Sequence, residues 1–80
     1  MKVSVRSLQD GVLFDGDAVS VNTKTAIGEI TVLDGHRPLI SVLVKGDLVL
    51  TDAKNTEHRF AVPSGFLEVG AHNTLIALID

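Results

Sequence analysis

The clearest structural pattern in the sequence is at residues 28–39, Gly28-Glu29-Ile30-Thr31-Val32-Leu33-Asp34-Gly35-His36-Arg37-Pro38-Leu39. Ile30 and Val32 alternate with polar neighbours, which predicts a β-strand that buries one of its faces. Asp34 and Gly35 then signal a turn, because Asp bonds nearby backbone groups and Gly tolerates a positive φ. Pro38 restricts the chain immediately before the next apolar run. The stretch therefore predicts a strand, a tight turn and the beginning of a second strand.

The rest of the chain repeats this pattern of short strands and turns. Further turn signals occur at Asp10-Gly11, Asp15-Gly16, Lys45-Gly46-Asp47 and Ser64-Gly65, with Asn22 and Asn55 as additional candidates. Apolar residues alternate with period two at Val3/Val5, Val19/Val21, Leu48/Leu50 and Phe60/Val62. Residues 39–44 and 74–79 are more continuously apolar, and their short length favours strands. The segments between the turn signals are too short for helices.

These patterns predict a single all-β domain that spans residues 1–80. Many short strands at regular spacing are typical of a flattened antiparallel β-sandwich or barrel, here of about 8–10 strands. The predicted structural turns are at Gly16, Gly35, Pro38 and Gly65. Because 45% of the residues are hydrophobic and only 4% are aromatic, we expect a core of Val, Leu and Ile. We expect Phe14 and Phe66 to pack in this core or at its edge.

The composition excludes several classes of function. A net charge of −3 without any run of Lys or Arg excludes nucleic acid as an expected partner. The absence of Cys excludes disulfides, thiolate metal sites and a thiol nucleophile. No apolar run approaches the roughly 20 residues that a membrane-spanning helix needs, so we expect no direct membrane insertion. Residues 1–9 carry scattered charge, which predicts neither a signal peptide nor an anchor.

Catalytic and metal-binding patterns are not found in the sequence. His36, His58 and His72 lack the short spacings of metal-binding motifs, and the glycines form no phosphate-binding loop before a helix. Ser64 lacks the strained turn that surrounds a hydrolase nucleophile. We therefore predict no catalytic residue, no metal and no cofactor. A small metal-dependent hydrolase would require the three histidines to converge.

Two residues of the opening stretch are candidates for a binding role, each with an ordinary alternative. His36 lies between a Gly turn and Pro38, with Arg37 beside it, so we expect it to be displayed to solvent. It could equally cap or pack a structural corner. Glu29 lies on the strand face opposite Ile30, where a solvated glutamate is the ordinary interpretation.

Three blocks in this order and spacing carry a family resemblance: Leu13-Phe14-Asp15-Gly16, then residues 28–39 as quoted above, then Val62-Pro63-Ser64-Gly65-Phe66-Leu67-Glu68-Val69. Together they resemble the N-terminal β-sandwich domain of F-type ATP synthase epsilon subunits. The resemblance covers almost the whole chain, and the combined blocks are far more specific than any single motif. The fold that it implies agrees with the strand pattern.

The resemblance implies a non-catalytic subunit in the central stalk of a proton- or sodium-translocating ATP synthase. Such a subunit binds the gamma subunit and the polar loops of the c-ring, and couples rotation to ATP synthesis or hydrolysis. It implies a peripheral location at the cytoplasmic face of the bacterial inner membrane. By position in the motifs, Glu29 and His36 would face the c-ring, and Leu8 and Ser41 would face gamma. A free-standing β-sandwich that binds a ligand or carbohydrate is the alternative, although the chain has no Trp or Tyr for stacking.

The chain departs from the family pattern at three places. Asp34 stands where the family usually has Pro, and Arg37 stands where it usually has Ala, so the stiffness and charge of this loop are expected to differ. Leu8 replaces a smaller, usually hydroxyl-bearing residue. The helical hairpin that carries inhibition and ATP sensing in the family has no counterpart in the sequence, so we expect neither behaviour by that route. A naturally short form and a truncated one both remain open.

Overall fold

The computed structural model describes residues 1–80 and contains eight β-strands without a helix. The strands are β1 (Lys2–Ser7), β2 (Gly11–Thr25), β3 (Gly28–Leu33), β4 (Leu39–Leu43), β5 (Gly46–Asp52), β6 (Glu57–Val62), β7 (Gly65–Val69) and β8 (Thr74–Ile79). The all-β prediction and the predicted number of strands are confirmed. None of the structure forms a helix of the length and apolarity needed to cross a membrane.

Strand β2 is the longest element and takes part in both layers of the sandwich. Its first half pairs with β1, and its second half pairs with β3 on one side and β5 on the other. One layer continues from β1 through β8 and β7 to β4, and the other continues from β5 to β6. All pairings are antiparallel except that of β1 with β8, which is parallel. The resulting domain is flattened, with extents of 25 × 24 × 17 Å.

The core is built from aliphatic side chains, as expected from the composition. Fourteen buried Val, Leu, Ile and Ala residues form one cluster, and Phe14 and Phe60 pack against it only partly buried. Most of these core residues occupy alternate positions of a strand, which point to the same face. Val3 and Val5 in β1 and Leu48 and Leu50 in β5 are examples, and all four are fully buried. No buried side-chain nitrogen or oxygen lacks a hydrogen-bond partner. The core is therefore continuous and leaves no buried polar side chain unsatisfied.

Two of the four predicted structural turns, Gly16 and Gly65, lie in strands instead. Gly16 lies within β2 and pairs with Val3, because the β1 ladder continues through the Asp-Gly pair. Gly65 is the first residue of β7, and a Cβ there would overlap the backbone carbonyl oxygen of Leu78. Gly65 is thus required for close strand approach and not for a turn. The prediction was correct for Gly35, which has φ +78°, and Pro38 lies in the loop between β3 and β4.

A bulge in β2 overturns one predicted alternation. Val21 is buried, but Val19 is 48% exposed, although the two were predicted to share a face. Ala18 pairs with Asp52 and Ser20 pairs with Thr51, so Val19 is an extra residue in the ladder. Asn22 was a turn candidate and also lies within β2. The bulge falls where β2 changes its pairing from β1 to β5.

Candidate protein interaction surfaces

The first candidate surface is an exposed apolar patch on the outside of the β4, β7 and β8 layer. The register brings Val42, Phe66 and Leu78 into one row across the three strands. Ile40 and Ile76 lie in the next row, separated by Glu68. Phe66 is 60% exposed and Ile40 is 75% exposed. We call this patch, together with the adjoining Leu8, the outer apolar face; its members are Leu8, Ile40, Val42, Phe66, Ile76 and Leu78.

Leu8 extends the outer apolar face beyond the end of β1. Its side chain is 81% exposed, and its backbone amide donates to the carbonyl of Ile79 at 2.9 Å. A groove of about 330 Å³ lies between Leu8, Val42, Phe66 and Leu78. Exposed contiguous apolar surface of this kind marks interaction sites in soluble proteins. The predicted gamma-facing residue Leu8 therefore lies on an apolar surface that could receive another protein.

Ser41, the second predicted gamma-facing residue, does not lie on this surface. It is half-buried in β4, where Ile40 and Val42 on either side of it are exposed. Because successive side chains of a strand point to opposite faces, Ser41 lies on the inner side of the layer. The structure thus places Leu8 and Ser41 on different sides of the layer.

The second candidate surface is polar and lies on the outside of β2 and β3. Glu29 and Thr31 are exposed, whereas Ile30 and Val32, which alternate with them along β3, point inward as predicted. The Asn22 side-chain amide in β2 donates to Glu29 Oε2 at 3.2 Å and to Thr31 Oγ1 at 2.9 Å. We call Asn22, Glu29 and Thr31 the polar β3 surface. Asn22 therefore holds the Glu29 carboxylate against the sheet.

His36 lies beyond the other end of β3, in the loop at 34–38. The loop begins with a turn in which the His36 amide donates to the Leu33 carbonyl at 3.1 Å. The imidazole is exposed, and its Nδ1 donates to the Arg37 carbonyl at 2.6 Å, which leaves Nε2 free. Glu29 and His36 are not neighbours, because four residue steps of strand, about 13 Å, separate Glu29 from Leu33. They lie at opposite ends of one edge strand.

The remaining histidines do not assemble a catalytic or metal site. His58 Nε2 donates to Asp52 Oδ2 at 2.9 Å, and its ring lies 5.2 Å from that of Phe14. That hydrogen bond, followed by one from the Thr56 amide, lowers the pKa of Asp52. No group of three or more His, Cys, Asp or Glu side chains is arranged to hold a metal ion. The Asp52 and His58 pair fastens the turn between β5 and β6.

Sequence reasoning missed most of the outer apolar face. Phe66 was expected in the core or at its edge, but it points outward from the middle of the face. The apolar run at 74–79 contained the signal, because a strand that is apolar at every position has two apolar faces. Leu75, Ala77 and Ile79 are buried, while Ile76 and Leu78 are exposed. Only the register shows that these exposed residues join those of β4 and β7.

Comparison with known proteins finds one family over nearly the whole chain. A family described as "ATP synthase, Delta/Epsilon chain, beta-sandwich domain" matches residues 1–78. The ATP synthase epsilon chain of Dichelobacter nodosus is 36% identical over 67 residues, which cover 84% of this chain and 47% of that protein. The ATP synthase epsilon chain of Anoxybacillus flavithermus is 41% identical over 69 residues, which cover 86% of this chain and 50% of that protein. The chain spans about half the length of these curated relatives.

Solved structures share the fold at lower sequence identity. A chain in the mitochondrial ATP synthase of Euglena gracilis, solved with OSCP, F1 and the c-ring, superposes with a TM-score of 0.85 at 20% identity. The superposed region covers 96% of this chain and 48% of the Euglena chain. A chain in the structure of the central stalk and c-ring of Tetrahymena thermophila mitochondrial ATP synthase superposes with a TM-score of 0.81 at 22% identity. The superposed region covers 99% of this chain and 62% of the Tetrahymena chain. At such identities the likeness establishes the β-sandwich fold.

Proposed function

Because this chain belongs to the β-sandwich family of ATP synthase delta and epsilon chains, we propose that it is a non-catalytic subunit of the ATP synthase central stalk. In this role it binds the gamma subunit and the c-ring, and it couples rotation of a proton- or sodium-driven ring to ATP synthesis or hydrolysis. It would act as a peripheral component at the cytoplasmic face of the membrane. The observation that carries the proposal is the outer apolar face, an exposed surface on a rigid sandwich of this family.

The outer apolar face is the proposed contact with gamma. Burying one large aliphatic or aromatic side chain contributes about 1.5–3 kcal/mol. Phe66 and Leu78 lie side by side in the centre of the face, so a partner that covers them would gain most of its affinity there. Leu8 lines the same groove and extends the contact. Ser41 is half-buried on the inner side of β4, so it is not part of this proposed contact.

The polar β3 surface and the His36 loop form the proposed contact with the c-ring. The polar loops of a ring offer charged and amide groups, which a carboxylate and an imidazole can bind through directional hydrogen bonds. Glu29 is held by Asn22, and His36 keeps Nε2 free. Because the Arg37 carbonyl occupies Nδ1, Nε2 is the ring nitrogen that remains available to a partner. Two polar contacts at the two ends of β3 would fix the register of the domain on the ring.

A rigid connection between the two surfaces suits a coupling role. Strand β2 pairs with β3 beneath the polar surface, and it also pairs with β1, which joins the β8 layer. The core between the layers is densely filled with aliphatic side chains, and such interiors deform little. Torque applied at one surface would therefore reach the other without large internal motion.

Reconstitution tests the proposal as a whole. The chain is added to an ATP synthase depleted of its epsilon subunit, in vesicles, and ATP hydrolysis and ion pumping are measured together. We expect the chain to bind the cognate gamma subunit and to raise the number of ions pumped per ATP hydrolysed. If it neither bound gamma nor improved coupling, the proposed function would be wrong.

A charge exchange tests the ring contact separately. The double change Glu29→Lys with His36→Ala should weaken binding to the isolated c-ring by about tenfold or more, because each loses a charge-assisted or directional hydrogen bond worth about 1 kcal/mol. The matched control is Glu57→Lys with His72→Ala, which makes the same chemical changes at exposed positions elsewhere. Equal ring binding by the two double variants would refute the assignment of Glu29 and His36.

A further inference from the structure

Two loops that are far apart in sequence are joined by a reciprocal pair of side-chain hydrogen bonds. Asn73, in the turn between β7 and β8, donates from Nδ2 to Asp34 Oδ1 at 2.9 Å. The backbone amide of Gly35 donates to Asn73 Oδ1 at 2.8 Å. The Asn73 side-chain amide thus donates to Asp34 and accepts from Gly35, two consecutive residues of the loop that carries His36.

The conformation of Asn73 explains why an asparagine occupies this position. Its φ is +59°, in the left-handed region that few residues other than Gly and Asn adopt readily. Its backbone carbonyl accepts a hydrogen bond from the Lys2 amide at 3.0 Å, which ties the turn to the beginning of β1. Asn73 therefore presents its amide to the His36 loop from a fixed backbone.

The Asp34 carboxylate has a second partner besides Asn73. The α-amino group of Met1 donates to Asp34 Oδ1 and also to the carbonyl of Ala18 at 2.9 Å. The hydrogen bond from the α-amino group, followed by that from the Asn73 side chain, lowers the pKa of Asp34. The carboxylate is therefore ionised at neutral pH and accepts hydrogen bonds from two elements of the sandwich.

The turn that begins the loop has no stiffening residue of its own. The His36 amide bonds to the Leu33 carbonyl, and Gly35 has φ +78° at the third position, as in a type II turn. Proline is common at the second position of such turns, which Asp34 occupies here. The Asp34 amide makes no backbone hydrogen bond, so a proline there would lose none. Hydrogen bonds with Asn73 therefore hold this turn at a position where a proline could have restricted its backbone directly.

We propose that Asn73 and Asp34 form a clasp between the two loops, and that this clasp positions His36 for its contact with the c-ring. The inference rests on the proposed function, because it takes the ring as the partner of His36. Asn73 and Asp34 are positioning residues, since they act through the backbone of the loop and not by touching the ring. The clasp explains how a loop with Asp at position 34 can hold its imidazole in place.

The variant Asn73→Gly tests the clasp in the full chain. Glycine accepts the positive φ, so the change removes the side-chain amide without straining the backbone. We expect exchange of the Gly35 amide hydrogen, followed by NMR, to become about tenfold faster, and binding to the isolated c-ring to weaken about fivefold, as loss of roughly 1 kcal/mol predicts. The matched control is Asn55→Gly, at the other asparagine of positive φ, which lies in the β5–β6 turn. It should change neither quantity.

A rescue separates positioning from direct contact. Adding Asp34→Pro to Asn73→Gly should restore ring affinity to within about twofold of the unchanged chain, because proline restricts the turn from within. Exchange at Gly35 should stay fast, since its acceptor is still missing. If the proline does not restore affinity, Asn73 does not act by positioning the loop and the inference is wrong.

The failure of the clasp and that of the ring contact give different results. If Asn73→Gly leaves Gly35 exchange and ring affinity unchanged while His36→Ala weakens binding, the clasp is refuted and the ring contact stands. If His36→Ala has no effect on ring binding, the ring contact is refuted, and with it the role of the clasp in positioning His36 for the ring. Faster exchange at Gly35 would then show only that the clasp holds the loop.

Discussion

The outer apolar face and the polar β3 surface lie on the two layers of one small sandwich, yet they differ in almost every chemical property. The outer apolar face has Phe66 and Leu78 in adjacent positions, and few polar groups interrupt it. The polar β3 surface presents Glu29 and Thr31, both bonded to Asn22. The first is suited to affinity through burial, and the second to register through directed hydrogen bonds. The difference fits the proposal that the two surfaces bind two different partners.

The largest expected effect concerns the centre of the outer apolar face. Phe66→Glu should weaken binding of the gamma subunit by more than about 100-fold, because it removes about 1.5–3 kcal/mol of apolar burial and adds a charge that the partner must desolvate. Binding is measured by calorimetry with isolated gamma. The matched control is Val19→Glu at an exposed valine outside the face, which should bind normally. Similar losses in both variants would show that the face is not the gamma contact.

A smaller effect is expected at Gly65 and Gly16, the two predicted turn positions that lie in strands. Gly65→Ala should lower the free energy of unfolding by about 2–3 kcal/mol, because the new Cβ overlaps the Leu78 carbonyl and pushes β7 away from β8 under the outer apolar face. Gly16→Ala should change it by less than about 0.5 kcal/mol, since the Cβ there only contacts the Phe14 ring at 3.6 Å. Urea unfolding measures both. Equal values would contradict the requirement for close approach at Gly65.

The smallest effect is expected away from both surfaces, at the turn between β5 and β6. The pKa of Asp52 is lowered by the hydrogen bond from His58 and then by that from the Thr56 amide. A carboxylate with a lowered folded-state pKa contributes stability above its ordinary pKa of 3.8, and that stability is lost as pH falls through the lowered value. Asp52→Asn should therefore lower Tm near pH 7 but have a diminishing effect below about pH 4.

Thermal unfolding between pH 2 and 7 measures that difference. The control is Asp47→Asn, whose carboxylate makes only a long contact of 3.5 Å with Arg59. If the Tm of Asp52→Asn stayed below that of the unchanged chain by a constant amount at all pH values, the carboxylate charge would not be the source of the stability.

Local patterns were sufficient for the class of fold. Alternation at Val3/Val5 and Leu48/Leu50 predicted strands with one buried face, and the Asp34-Gly35 turn was correct because both residue types favour it locally. Asp15-Gly16 has the same composition, yet it lies inside β2, because pairing with β1 outweighs the local preference. Turn propensity therefore decides the conformation only where no neighbouring strand offers a ladder.

The candidate surfaces were less predictable than the fold. The exposure of Glu29 and His36 followed from alternation and from the loop around Pro38. The outer apolar face did not follow, since a run that is apolar at every position does not show which residues are covered. The separation of Glu29 and His36 by the length of β3 also depends on where that strand begins and ends.

The all-β sandwich class, the aliphatic core and the motif blocks of the family could be identified from residue type and short-range spacing alone. Three other features became visible only once the strands were paired. The folded structure aligns Val42, Phe66 and Leu78 into one face, it brings Gly65 against β8, and it joins Asn73 to the His36 loop. Each depends on the register between strands or turns that are distant in the chain, and that register is set by which apolar faces are buried against each other in the folded domain.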